Sequence, residues 1–481
     1  MTNATEILVK ADPWSLRTLM ESNIKLIKLL TIISFTLFLW FFVKPDGLTN
    51  EAWHLLTIFI CTIVAMIAKV LPTGSLAILA ITACSATGTI TLESSIAGFS
   101  SKIVWLVVCA FILAKGFTKT GLGTRIAYYF VYLFGKNTVG LSYSLIITEL
   151  FLSPLIPSNT ARGAGIMFPI ASSISKEFNC NSFGALLMKL CFHTNIITSA
   201  MFLTASAANP LMTSISKTLG YELTWLVWAK AAIVPGLLSL AILPFILFFF
   251  FPGALKKTET IQAFAKQQIK NSGPLSKNEW IMLATFGLLL LMWVTGSVTK
   301  IDATISAFVG LTLLLLTNVL TWDDIVSEKE AWTTFVWLAA LLMLATNLEK
   351  LGTITWISNQ IHSQIMDYHW KIGLLFLCTT YFMGHYLLAT LTAHVSAMYG
   401  AFCSIGIMLG VPVPLIVLIF AGISNYSSGV THYTTGAAPL FFGANYIAMG
   451  KWWRIGLTIG IINSIIWLGV GSWWWKFLGI I

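Results

Sequence analysis

Long apolar runs, separated by short polar segments, occupy most of the chain. Runs such as Leu30–Val43, Ala231–Phe251 and Ile455–Trp473, with their flanks, reach the roughly 18–20 residues that a helix needs to cross a bilayer. The pattern predicts an all-α integral membrane protein with about 11 transmembrane helices. The predicted spans cover residues 26–43, 52–70, 74–92, 102–120, 182–218, 222–252, 279–299, 303–320, 331–349, 412–447 and 454–478.

Two further apolar segments, 137–176 and 370–411, are each interrupted near the middle by polar residues. Each is long enough for two short helical arms, so we predict two re-entrant hairpins. In the first, Pro154 and Pro157 end one arm, because proline lacks an amide donor and crowds the preceding turn. Ser158 and the residue after it are good N-cap residues for the returning arm.

Composition agrees with a membrane protein, since 57% of the residues are hydrophobic and only 10% are charged. The net charge of +10 comes from Lys and Arg in short loops on one side of the predicted topology. This positive-inside pattern argues against a nucleic-acid partner and puts the N-terminus in the cytoplasm and the C-terminus outside. The polar segment before the first span has no secretory or transit features, which favours a bacterial plasma (inner) membrane. The seven cysteines are scattered without a C-x-x-C pair, which predicts neither a disulfide framework nor a metal site.

The two halves of the chain resemble each other. The run from Trp105 to Gly121 is similar in sequence to the run from Trp337 to Gly352. Corresponding residues of the two runs are about 230 positions apart. After each run come an amphipathic stretch, a predicted hairpin and a long helix interrupted by small and polar residues. Inverted repeats with interrupted helices at matching places indicate a secondary transporter whose site lies at the interruptions.

The first hairpin tip carries the candidate chemistry. A helix N-terminus that faces a cavity offers free amides and a partial positive charge, which suits a carboxylate. Arg162 follows one turn later. The insertion free energy of an arginine at mid-membrane is unfavourable by about 2.5–3.5 kcal/mol. The planar fork of Arg162 can hold a carboxylate bidentately, so this residue is a candidate substrate ligand. The alternatives are a purely structural tip and a structural pair of Arg162 with Glu149 or a backbone carbonyl.

The motif Pro157-Ser-Asn-Thr-Ala-Arg-Gly-Ala-Gly165 resembles the Ser-Asn-Thr signature of the divalent anion/sodium symporter family. It is more similar to the branch that holds bacterial citrate/succinate and tartrate/succinate exchangers and plastid 2-oxoglutarate/malate translocators. The segments Ser199–Pro210 and Ser424–Gly436 are similar to that branch as well, and the resemblance covers essentially the whole chain. It implies an all-α elevator transporter in a lipid membrane that exchanges di- or tricarboxylates, acts as a homodimer and is not an enzyme.

The resemblance also implies a division into scaffold and transport parts. The expected parts are 1–135 (scaffold, repeat 1), 136–252 (transport, repeat 1, with hairpin 137–176 and broken helix 182–218), 253–278 (cytoplasmic linker), 279–369 (scaffold, repeat 2) and 370–481 (transport, repeat 2, with hairpin 370–411 and broken helix 412–447). Substrate carboxylates are expected between the hairpin tips and the helix breaks. The implied substrate-binding residues are Ser158, Asn159, Thr160, Arg162, Ser206, Asn209, Ala393, His394, Val395, Thr434 and Thr435.

The second tip, placed at Ala393-His394-Val395, departs from the sodium-coupled members, which repeat Ser-Asn-Thr there. Sodium is a hard ion that prefers oxygen ligands, so a second sodium site is not expected. A residual site near Ser158, Asn159 and Ala205 stays open, and no other cofactor is expected. These departures favour exchange driven by an outgoing carboxylate.

Other readings of the sequence remain open. Sodium-coupled symport of the same substrates is the closest alternative. A passive anion channel is a second one, and an intramembrane serine hydrolase using His394 and Ser428 is a third, although no orienting group for such a pair is evident. His432 and the pair Lys189/His193 are further candidate polar groups within the spans.

Overall fold

A computed structural model describes residues 16–43, 45–178, 180–254, 259–353, 356, 370–388 and 390–481. Within these ranges the regular structure is helical and no strand occurs. Seven helices are long and apolar enough to cross a membrane, and further apolar helices are shorter. The prediction of an all-α integral membrane protein is therefore confirmed. The predicted amphipathic stretch 353–369 lies mostly outside the described residues.

The helices before the linker follow the predicted order. Leu16–Phe42 comes first. The others are Asn50–Ile67, Thr73–Ala86, Leu92–Ile96, Lys102–Thr120, Leu122–Phe134, Thr138–Leu152, Asn159–Arg162 continued through the π-helical turn Gly163–Met167 into Phe168–Phe178, Asn181–Met201, Asn209–Thr218 and Trp225–Phe250.

The linker helix Glu259–Asn271 separates these elements from the second repeat. The described helices of that repeat are Lys277–Thr299, Ala303–Leu316, Trp322–Val326, Lys329–Lys350, Trp370–Gly384, Leu391–His394 continued through the π-helical turn Val395–Tyr399 into Gly400–Met408, Val413–Ser427, Ala438–Gly443 and Met449–Ile466 continued through the π-helical turn Trp467–Gly471 into Ser472–Phe477.

Local signals repeat between the two halves. Thr91 caps one five-residue helix through the amide of Ser94, and Thr321 caps another through the amide of Asp324. The predicted spans 74–92 and 303–320 both end early as helices, because Gly88 and Asn318 adopt left-handed backbone angles of φ 67° and 56°. The same turn chemistry at matching places supports the predicted internal repeat.

Each predicted hairpin is present as two helical arms on either side of an irregular tip. The first arms, Thr138–Leu152 and Trp370–Gly384, have 15 residues each. At ~1.5 Å per residue an arm of this length covers about 22 Å, which is short of the ~30 Å hydrocarbon core. The described part of each first arm is therefore shorter than a full crossing, whereas the returning arm Leu391–Met408 is among the seven helices long enough to span.

The first broken helix lies at the centre of the fold. Every residue from Phe183 to Met201 is buried. This helix packs against Trp225–Phe250 and against Val413–Ser427 of the second repeat. Two interrupted helices thus meet inside the protein, where irregular backbone is tolerated because protein surrounds it.

Candidate substrate-binding site

A cavity of about 480 Å³ lies where both hairpin tips and both helix breaks meet the helix Lys329–Lys350. Its volume falls in the range of about 300–1,000 Å³ that is typical of ligand pockets. It brings together five of the predicted site residues: Ser158, Asn159, Thr160, Ser206 and Thr435.

The first tip is organised by its helix cap. The Ser158 hydroxyl accepts a hydrogen bond from the amide of Ala161 at 3.0 Å. Asn159 and Thr160 are half-buried and line the cavity, and the helix that begins there runs on to Phe178. The free amides of its first turn and its partial positive charge therefore face the cavity together with hydroxyl and amide side chains.

The second tip repeats this cap in a different register from the predicted one. The Thr390 hydroxyl accepts from the amide of Ala393 at 3.1 Å, so Thr390 is the counterpart of Ser158. The cavity is lined by Thr390, Leu391 and Thr392. The predicted residues Ala393, His394 and Val395 are buried one turn further along and do not line it. The second tip therefore lies three residues earlier than predicted, at Thr390 and the two residues after it. The helix cap fixes this register, and the spacing between the two halves of the sequence does not.

Arg162 is fully buried in a polar network behind the first tip. Its Nε donates to Glu149 Oε1 at 2.8 Å, and its Nη2 donates to Ser199 Oγ at 2.9 Å. Its Nη1 donates to the carbonyl oxygens of Ile156 and, at 2.6 Å, of Ala205. The guanidinium therefore ties the first tip to the first helix break, and it does not line the cavity. This arrangement matches the structural pairing with Glu149 that the sequence left open.

His394 stands 232 residues after Arg162, at the matching turn of the second hairpin. Its Nε2 is 2.9 Å from the carbonyl oxygen of Tyr381, and its ring stacks on His385 with centroids 4.0 Å apart. His385 in turn lies 2.7 Å from Ser427 Oγ through Nδ1. Sequence reasoning missed His385; a histidine in an apolar segment five residues before Thr390 was the available signal.

The two helix breaks are joined through side-chain amides. Asn209 Nδ2 donates to the carbonyl oxygens of Ser199 and Phe202 at 2.8 and 2.9 Å. Its Oδ1 accepts from Asn425 Nδ2 at 2.9 Å. Asn209 is buried and outside the cavity lining, so the structure gives it a bracing position.

At the second break, the Thr434 hydroxyl donates to the carbonyl oxygen of Ser428 at 2.5 Å and is buried. Thr435 lines the cavity, and its hydroxyl accepts from the amide of Ala438 at 3.2 Å. A Cβ atom added to Gly436 would overlap the side chain of Thr160, so the first tip packs directly on the second break.

The remaining polar candidates lie away from the cavity. Lys189 Nζ sits 3.8 Å from the ring centroid of Trp452, and His193 packs beside Gly429. His432 Nδ1 accepts from the indole nitrogen of Trp453 at 3.1 Å. None of the three predicted candidates lines the cavity.

The opposite wall of the cavity comes from the helix Lys329–Lys350. Lys329 and Glu330 are exposed at its start, and Ser158 Oγ donates to Glu330 Oε2 at 3.3 Å. Sequence reasoning missed both residues, because it placed this helix in the outer part of the protein and looked for ligands only at interruptions.

At the residual sodium site predicted near Ser158, Asn159 and Ala205, one of the candidate oxygen ligands is already engaged. The carbonyl oxygen of Ala205 already accepts from the Arg162 guanidinium, whose positive charge is permanent. At the second tip, Leu391 occupies the place of Asn159 and supplies no side-chain oxygen. Sodium at the first tip would have to share the Ala205 oxygen with this permanent cation, and Leu391 adds no side-chain oxygen at the second tip.

A polar cavity enclosed by two hairpin tips and two interrupted helices, within a multi-pass membrane protein, defines a membrane transporter. Residues 23–481 match the family model described as the sodium:sulfate symporter transmembrane region. The chain belongs to this family, the divalent anion/sodium symporters.

Two of its relatives carry the names of a malate transporter and a dicarboxylate transporter. The chain is 47% identical over 468 residues to the putative malate transporter YflS of Bacillus subtilis, which covers 96% of this chain and 98% of the relative. It is 42% identical over 462 residues to the chloroplastic dicarboxylate transporter 1 of Arabidopsis thaliana, covering 94% of this chain and 83% of the relative. The crystal structure of the YdaH transporter of Alcanivorax borkumensis is similar in fold, with a TM-score of 0.59 at 10% identity, covering 89% of this chain and 99% of that one.

Proposed function

We propose that the protein exchanges small di- or tricarboxylates, such as succinate, malate, 2-oxoglutarate, citrate or tartrate, across a bacterial inner membrane. The observation that carries this proposal is the pair of capped helix starts at Ser158 and Thr390, which line one cavity. Relatives named as malate and dicarboxylate transporters support the substrate class.

Each tip suits one carboxylate. Ser158, Asn159 and Thr160 offer hydroxyl and amide groups beside free backbone amides, and Thr390 and Thr392 offer two hydroxyls at the other tip. An anion held between two helix starts needs no basic side chain, because amides and dipoles supply the positive potential. Two such starts facing one cavity favour a substrate with two anionic ends.

Exchange is favoured over sodium-coupled symport by the position of Arg162. A permanent cation bound to backbone oxygens at the first tip disfavours a second cation there, such as a sodium ion that binds and leaves with the substrate. The driving force then comes from the outgoing carboxylate. Sodium-coupled symport is the alternative, and the sodium dependence of uptake distinguishes it from exchange.

We further propose an elevator mechanism in a homodimer, with the hairpins and broken helices as the moving part. The cavity lies between these elements and the helix Lys329–Lys350, which belongs to the proposed scaffold. Lys119 forms an ion pair with Asp324, which lies shortly before the start of that helix. The start of the helix is therefore on the side of the protein where the predicted topology puts most of the lysines. By the positive-inside rule this side is cytoplasmic, so the cavity opens inward, with the N-terminus inside and the C-terminus outside.

The test is uptake of labelled malate into proteoliposomes preloaded with succinate, in sodium-free buffer and with a panel of unlabelled carboxylates as competitors. We expect uptake only into preloaded vesicles, no gain from sodium, and competition by dicarboxylates but not by acetate. Uptake that requires sodium and ignores the internal carboxylate would establish symport and overturn exchange.

A further inference from the structure

Glu330 is a carboxylate that faces a cavity proposed to hold carboxylates. It lies in the first turn of the helix Lys329–Lys350, is exposed and lines the cavity. Among the described residues, no ion pair includes Glu330. Its neighbour Glu328, in contrast, lies 3.7 Å from Lys115 Nζ and does not line the cavity. Glu330 therefore presents to the cavity a carboxylate with no ion-pair partner among the described residues, beside the exposed Lys329.

The hydrogen bond of Glu330 reaches the first tip itself. Ser158 Oγ donates to Glu330 Oε2 at 3.3 Å while it accepts from the amide of Ala161. A serine hydroxyl has one proton to donate. While Glu330 accepts that proton, Ser158 cannot donate to a substrate carboxylate, so the two carboxylates compete for the same group.

We propose that Glu330 is a release residue, whose carboxylate replaces that of the substrate at Ser158 when the cavity is open to the cytoplasm. This inference rests on the proposed function. Ser158 belongs to the proposed moving part and Glu330 to the proposed scaffold, so their contact exists only in the inward-open arrangement. There Glu330 competes for the hydroxyl and repels the anion, because like charges a few ångströms apart repel each other.

The consequence is an affinity that differs between the two faces of the membrane. Substrate is bound more weakly at the cytoplasmic face, where Glu330 contacts the tip, than at the outer face, where the tip has moved away from it. Release of the substrate into the cytoplasm is then faster than it would be from the same two tips without the Glu330 carboxylate. A merely structural role of Glu330 at the helix start, through its favourable interaction with the helix dipole, would affect both faces alike.

The test measures half-saturation for malate exchange at each face, in inside-out and right-side-out membrane vesicles without sodium. Glu330→Gln keeps the size of the side chain and removes its charge. We expect it to lower the half-saturation concentration at the cytoplasmic face by about tenfold and to change the outer face by less than about twofold. An unchanged cytoplasmic face, or an equal change at both faces, would overturn the proposal.

The matched control is Glu328→Gln, which removes the same charge two residues earlier and outside the cavity. We expect changes below about twofold at both faces. Glu330→Ser is measured in parallel with thermal melting, so that poor folding of one variant does not decide the result. Asn159→Ala separates this proposal from the function on which it rests. If it abolishes carboxylate exchange while Glu330→Gln has no sided effect, only the release role fails; if the wild type exchanges no carboxylate, the proposed function fails.

Discussion

Asn209 and Asn425 join the two halves of the protein through a buried hydrogen bond, with Asn425 Nδ2 donating to Asn209 Oδ1 at 2.9 Å. One residue begins the helix after the first break, and the other lies near the end of the helix before the second break. The bond therefore fixes the two breaks relative to each other. The family resemblance predicted Asn209 as a ligand, whereas the contact with Asn425 became visible only in the structure.

We expect Asn425→Ala to destabilise the protein by about 1–3 kcal/mol, because it leaves the Asn209 oxygen buried without a donor. Exchange should fall as the breaks lose their alignment. Thermal melting in detergent and succinate/malate exchange check these results. Asn271→Ala on the exposed linker helix is the control, and equal behaviour of the two variants would contradict the bracing role.

Removing the Arg162 side chain tests whether that residue is structural or a ligand. We expect Arg162→Met to cost about 3–5 kcal/mol, because Glu149 is left as an uncompensated buried charge. The double variant Glu149→Gln/Arg162→Met should be more stable than the single one. Expression level and melting temperature are the readouts. A stable single variant that has lost only substrate binding would show that Arg162 acts as a ligand.

Gly436→Ala tests the contact between the first tip and the second break. The added methyl group would overlap Thr160, and overpacking of this kind costs about 1–3 kcal/mol. We expect the half-saturation concentration for dicarboxylates to rise, because Thr160 is pushed from its place in the cavity. Gly443→Ala is the control, since a Cβ atom there meets nothing within 4 Å. Unchanged exchange by Gly436→Ala would show that the tip and the break are not packed together.

Ala401→Phe tests the proposed movement of the second hairpin. Ala401, with Ser396 and Gly400, lines a cavity of about 120 Å³ that faces Phe59 and Leu348 of the proposed scaffold. A ring at this place would fill the gap and obstruct sliding, so we expect dicarboxylate binding to persist while exchange is lost.

The control for that variant is Ile372→Phe on the exposed outer side of the same hairpin, where the side chain is 63% exposed. It should exchange normally. Normal exchange by Ala401→Phe would contradict the elevator proposal, because a sliding surface could not accept the extra ring without a change in rate.

Local chemistry explains what the sequence could predict. Apolar runs set the spans, Pro154 and Pro157 marked the first tip, and Ser158 was recognisable as a cap. The inverted repeat followed from landmarks about 230 residues apart, and it located both hairpins and both broken helices. These features depend on neighbours along the chain, which the sequence displays directly.

Contacts between distant segments explain what the sequence could not predict. The register of the second tip depends on Thr390 accepting from the Ala393 amide, which sequence spacing does not reveal. Glu330 reaches the site from a helix 172 residues beyond Ser158. The division into scaffold and transport parts, the ligand roles and the dimer stay predictions.

The central claim is that one anion is held jointly by the two hairpin tips. The most direct test is succinate binding to purified protein in sodium-free buffer, comparing the wild type with Asn159→Ala at the first tip and Thr392→Val at the second. We predict that each variant melts near the wild-type temperature and binds succinate at least about tenfold more weakly, since each loses a hydrogen bond to a charged group. Wild-type affinity in both variants would contradict the claim.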